Sequence, residues 1–130
     1  MEAALRPSPD LVRVLIADDE PLFVEMVQTM LAAEGIEVVG SANDGLEAVE
    51  KTLALGPDVT LMDVSMPVLD GIEATQRIRK DAPRACVLVL TGSTAVAEVD
   101  RARKAGAAAF LPKDRIASDL VATIAELAAR

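Results

Sequence analysis

The chain has 130 residues, 52% of them hydrophobic and 26% charged, the proportions of one globular domain rather than of a disordered segment. A formal charge of -8 argues against direct binding to nucleic acid or anionic lipid, which need a basic face, and no apolar stretch approaches the length of a membrane span. One cysteine, two phenylalanines and no tyrosine or tryptophan exclude an internal disulfide framework and require an aliphatic, alanine-rich core.

Residues 1–10, with Pro7 and Pro9 and no apolar h-region, read as a flexible lead-in rather than a signal peptide, and residues 11–130 as one domain. The missing leader and the lone thiol, Cys86, at the start of a buried run, fit a reducing cytoplasm. Apolar runs begin near positions 12, 37, 59, 86 and 109. Their spacing of roughly 22–27 residues is that of a strand plus one crossover helix. The segments between carry helical periodicity. Phe23, Met26, Val27, Met30 and Leu31 share a face of the first helix, which opens at Pro21 and closes at Gly35. Leu46, Val49 and Leu53 form the face of the second, closed by Gly56-Pro57. Ile72, Thr75 and Ile78 form that of the third, opened by Asp70-Gly71 and stopped before Pro83. A fourth helix around Val96 and Val99 is weakly amphipathic and ends at Gly106. The fifth presents Leu120, Val121, Ile124 and Leu127, with Ser118 as its expected cap. Five strand-helix repeats with nearly continuous aliphatic strands predict an α/β domain whose parallel sheet is covered by helices on both faces.

Four runs end on polar residues: Asp18-Asp19, Asp63, Thr91 and Lys113. Alone, each is ordinary strand or surface chemistry. In a parallel sheet, however, ligands bind beyond the strand C-termini, where all five would meet in one crevice. Three close carboxylates repel one another and require a compensating cation. Oxygen ligands suit Mg2+ or Mn2+, whereas a chain with no histidine and one cysteine is a poor zinc or copper site. A carboxylate, a divalent metal and an ammonium together suit phosphoryl transfer onto the carboxylate. Lys113 would be the counter-charge, and Thr91, beside the small Gly92 and Ser93, a donor to a phosphoryl oxygen. Chemistry alone leaves the nucleophile open. Asp63 is the candidate because it stands singly, which leaves Asp18 and Asp19 to hold the metal.

Four segments, in this order, carry a family resemblance: Val14-Leu15-Ile16-Ala17-Asp18-Asp19-Glu20-Pro21; Leu61-Met62-Asp63-Val64-Ser65-Met66-Pro67-Val68-Leu69-Asp70-Gly71; Leu90-Thr91-Gly92; and Lys104-Ala105-Gly106-Ala107 leading to Phe110-Leu111-Pro112-Lys113. Together they resemble the receiver domain of bacterial two-component response regulators, from about Val12 to Arg130. The resemblance implies a flavodoxin-like fold with strand order 2-1-3-4-5. It implies Asp63 as phosphoacceptor, charged from a phosphohistidine on a sensor histidine kinase or phosphotransfer protein. Mg2+ would be held by the side chains of Asp19 and Asp63, the backbone carbonyl of Ser65 and, through water, Asp18. Lys113 would pair with the phosphoryl group, Thr91 would move toward it, and Phe110 would turn into the vacated space. The readout would be a two-state surface of the fourth helix, last strand and last helix, offered to an output domain, a partner or a second receiver.

Four positions depart from the family pattern. Phe110 stands where tyrosine is commoner, so any switch works by packing without a hydroxyl. Gly92 replaces the usual alanine, and Ser65, two residues past the acceptor, is expected to influence dephosphorylation. Asp114 follows Lys113 where many members have proline, which leaves the isomer of that bond open. The Lys-Asp pair resembles receivers that precede LuxR-type helix-turn-helix output domains. The receiver reading makes the chain a switch that turns over no separate substrate. One rival is a Mg2+-dependent phosphatase with an aspartyl-phosphate intermediate, but it wants a second acid where Ser65 stands. The other is a phosphate-independent interaction module, which would normally have lost Asp63, Lys113 or the acidic pair.

Overall fold

The computed structural model describes residues 11–92 and 96–130; the expected lead-in and Ser93 lie outside them. In chain order the elements are β1 (Arg13–Ala17), α1 (Pro21–Ala33), β2 (Glu37–Ala42), α2 (Gly45–Leu55), β3 (Val59–Asp63), α3 (Gly71–Asp81), β4 (Val87–Thr91), α4 (Val96–Lys104), β5 (Ala109–Pro112) and α5 (Ile116–Ala128). A 3-10 turn, Lys113–Arg115, runs directly into α5. The strands form one parallel sheet, as the sequence pattern predicts, in the order β2-β1-β3-β4-β5 that the family resemblance implies.

Alternate strand residues feed two separate cores. Val14, Ile16, Leu61 and Leu88 pack with Val24, Val27 and Leu31 of α1 and Leu120 and Ile124 of α5. Ala17, Met62, Val87 and Val89 pack on the opposite side with α2, α3 and α4. Every residue of β3 and β4 is buried. A buried aliphatic side chain contributes about 1.5–3 kcal/mol, so the polar residues at these strand ends are held on a rigid scaffold. Register brings the ends level: Ala17 pairs with Met62, Asp63 with Leu90, and Thr91 with Pro112.

The helices start and stop mostly where expected, but several turn a different face inward. In α1 the buried residues are Val24, Val27 and Leu31, whereas Met26 is half exposed and Phe23 and Met30 lie at the flank. Residues 22–24 and 26–27 are all apolar, a set wider than one helical face, so periodicity alone does not orient this helix. In α2, Leu46 and Leu53 remain substantially exposed and the small residues Ala48, Val49 and Thr52 face in. Close packing dictates that choice: the start of α2 touches the Leu69 carbonyl, where a Cβ on Gly45 would collide. Ile72, Thr75 and Ile78 are buried as predicted. Val96 is exposed, leaving Ala102 as the buried residue of α4. Ser118 is not the cap of the last helix. The 3-10 turn carries the chain into α5 at Ile116, and the Ser118 hydroxyl donates to the Arg115 carbonyl from inside the first turn.

The loop after Asp63 is closely packed against the strand it leaves. Gly71 donates its N–H to the Val64 carbonyl at 2.8 Å, and a Cβ there would lie 1.9 Å from the Asp63 carbonyl oxygen. Asp70 caps α3 by accepting from the Glu73 N–H at 2.8 Å. Within this loop Val68 has φ 70°, a left-handed conformation costly for a β-branched residue. Two substitutions should therefore act in opposite directions in thermal unfolding. Gly71→Ala should destabilise by about 3 kcal/mol or more through overpacking and backbone displacement, and Val68→Gly should stabilise by about 1 kcal/mol.

Candidate functional site

The site grows from the ends of β1, β3, β4 and β5. Asp18 follows β1, its N–H bonded to the Ala42 carbonyl at 3.0 Å, and is only 1% exposed. Its Oδ1 accepts from the Glu20 N–H at 2.9 Å and its Oδ2 from Lys113 Nζ at 2.9 Å. Asp63 ends β3, nearly as buried, with Oδ1 at 3.3 Å from the same ammonium. Asp19 is exposed, yet Asp18, Asp19 and Asp63 can each bring a carboxylate oxygen within 4.8 Å of the others. The resulting group carries three carboxylates against one ammonium, with Glu20 Oε1 a further 3.9 Å from Lys113 Nζ.

Burial raises the pKa of Asp63 from the ordinary 3.8 to about 6; Asp18 adds to the rise, and Lys113 opposes it. Burial also works against the charge of Lys113, but its hydrogen bond to Asp18 and the charge of Asp63 outweigh that, so its pKa lies above the usual lysine value. Lys113 is therefore a fixed positive charge, whereas Asp63 takes up a proton more readily than an ordinary aspartate. Nζ also sits 4.3 Å from the centroid of the Phe23 ring, which confines the ammonium from the α1 side.

Residues 14–125 match the family described as response regulator receiver domain. The chain belongs to that family. It is 48% identical over 114 residues to the transcriptional regulatory protein PdtaR of Mycobacterium tuberculosis, a match covering 86% of this chain and 54% of PdtaR. It is 42% identical over 101 residues to the chemotaxis protein CheY of Thermotoga maritima, covering 78% of this chain and 84% of that protein. Among solved structures, the signal receiver domain of the response regulator NarL from Mycobacterium tuberculosis superposes with a TM-score of 0.88 at 37% identity, covering 93% of this chain and 98% of the other. This receiver spans about half the length of PdtaR.

The expected residues of the receiver fall as follows. Asp18, Asp19, Asp63 and Lys113 are brought together. Ser65 is exposed two residues beyond Asp63. Thr91 is buried at the end of β4, and its hydroxyl donates to Glu98 Oε1 at 3.2 Å. Phe110 is half buried in β5 against the core on the α2–α4 side, beside a cavity of about 210 Å³ that Val99, Ala102 and Arg103 of α4 also line. The bond between Lys113 and Asp114 is trans, as are all peptide bonds among the described residues. Half-buried Cys86 has its thiol pKa raised by burial, in keeping with an inert thiol. No helix among the described residues is long and apolar enough to cross a membrane.

Two participants escaped the sequence reading. Phe23 was placed on a helix face as core, and its contact with Lys113 joins residues ninety positions apart that no local pattern links. Glu98 sits seven residues past Thr91 in a helix whose apolar periodicity is too weak to orient its polar side.

The raised pKa of Asp63 makes a signed prediction for stability. The fold favours the protonated acid, so this contribution is fully present below about pH 4 and is lost as the pH rises through about 6. Without metal, in EDTA, Asp63→Asn should match the parent near pH 4 and exceed it by roughly 2 kcal/mol near pH 8. Denaturant unfolding across that range measures the difference.

Proposed function

We propose that the chain is a phosphorylation-dependent switch that accepts a phosphoryl group on Asp63. The observation that carries this reading is the buried Asp63 carboxylate ion-paired with Lys113 within a cluster of three acids. In the forward step an Asp63 carboxylate oxygen attacks phosphorus on a phosphohistidine of a sensor kinase or phosphotransfer protein. The N–P bond breaks, the imidazole keeps the electron pair, and an acyl phosphate is left on Asp63. Hydrolysis reverses the charge change: water attacks phosphorus, the Asp63 carboxylate is restored and inorganic phosphate leaves. No separate substrate is consumed.

The donor set fits Mg2+: three oxygen ligands with one ammonium leave a formal charge of about two to be balanced. Asp19 and Asp63 would hold it by their side chains, Ser65 by its carbonyl, and Asp18 through water, while Mn2+ suits the same oxygens. Bound there, the cation supplies positive charge to the phosphoryl oxygens as they crowd the acids. Lys113, released in part from Asp63, would bind the remaining phosphoryl oxygen as a point charge. Thr91 would turn to donate to the phosphoryl group, and Phe110, which lines the cavity beside α4, would turn from there into the space Thr91 vacates. The repacked α4–β5–α5 surface would then engage an output domain, a second receiver or another cytoplasmic partner. Ser65, standing where a phosphatase of this chemistry needs an acid, weighs against that rival.

Acetyl phosphate with Mg2+ tests the reading without the kinase. Intact-mass measurement should show one added phosphoryl group that is labile to base, absent with EDTA and absent in Asp63→Asn. Labelling that persists in Asp63→Asn, or none in the parent chain, would contradict it.

A further inference from the structure

A threonine hydroxyl has one hydrogen to donate, and both carboxylate and phosphoryl oxygens are acceptors. The hydrogen of Thr91 points to Glu98 Oε1 at 3.2 Å. While it does so it is not available to a phosphoryl group on Asp63, and the two acceptors compete for it. Glu98 lies in the first turn of α4 and is partly buried. The arginines of the same helix pair elsewhere, Arg101 with Asp70 and Arg103 with Asp100, so among the described residues Glu98 has no ion pair drawing it away from Thr91.

We propose that Glu98 is a positioning residue that latches Thr91 in the unphosphorylated receiver, so that phosphoryl capture of Thr91 must first break the Thr91–Glu98 hydrogen bond. The inference rests on the phosphoacceptor reading of Asp63 and adds a route out of the site. When Thr91 leaves, the first turn of α4 loses its Glu98 hydrogen bond to β4. The same bond that opposes activation thus reports it to the helix.

Beryllium fluoride with Mg2+, a phosphoryl mimic that forms no acyl phosphate, tests the latch by calorimetric titration of the parent chain, Glu98→Gln, Glu98→Ala, Thr91→Ala, and Glu98→Ala combined with Thr91→Ala. Glu98→Ala should bind the mimic about fivefold more tightly. Glu98→Gln, whose amide oxygen still accepts but carries no charge, should shift in the same direction by less. Its near-identical shape keeps the test available if the alanine variant unfolds. In the Thr91→Ala background the Glu98 substitution should change nothing further. Unchanged or weaker binding in both Glu98 variants would overturn the latch. So would an equal gain with Thr91→Ala, since the effect would then be the loss of a negative charge alone. Failure of the parent chain to bind the mimic would instead remove the phosphoacceptor reading itself, and the latch with it.

Discussion

The charge imbalance at the top of the sheet governs the rest of the molecule. Asp18, Asp19 and Asp63 bring carboxylate oxygens within 4.8 Å of one another, with Lys113 as the ammonium between two of them. Two like charges about 4 Å apart repel by about 1 kcal/mol in water and several times that at the effective dielectric of a protein surface. The aliphatic strands behind the site supply the burial that holds the acids in place. Part of the resulting cost appears as the raised pKa of Asp63. A site built this way is most stable when something positive enters or when one acid loses its charge. Metal binding and protonation are two answers to the same imbalance.

The partners of the cluster lie on separate helices, which explains how a local event can reach a surface. Lys113 begins the 3-10 turn that leads into α5 and lies over Phe23 of α1. Thr91, one strand over, bonds to Glu98 of α4. Phe110 lies in β5, whose neighbours across the cavity are α4 side chains. Any shift of Lys113 or Thr91 therefore pulls on an element other than the one that carries Asp63. β3 and β4 are buried along their whole length, so α4 and the turn before α5 are the less constrained neighbours of the site.

The strands and the acid cluster were legible in the sequence because each is a local pattern: an aliphatic run of about five residues, in four of the five cases leading to a polar residue. Asp70 and Gly71 likewise announce the start of α3. Helix rotation was less legible. Along α1, apolar residues surround more than one face, and in α2 the crowded approach to Leu69 selects small side chains over the leucines. Ser118 has cap chemistry, but the turn begun at Lys113 had already started the helix. The left-handed Val68 carries no sequence signal, since glycine or asparagine would be expected there. Glu98 and Phe23 depend on tertiary contacts alone.

Mg2+ titration by calorimetry, repeated in buffers of different ionisation enthalpy, tests the charge imbalance most directly. One cation should bind per chain, releasing protons near pH 6 as Asp63 gives up its own, and releasing almost none near pH 8, where Asp63 is already ionised. Asp63→Asn should abolish the proton release and weaken binding. Binding that is pH-independent between 5 and 8, or that survives Asp63→Asn unchanged, would contradict a cation site built on these three acids.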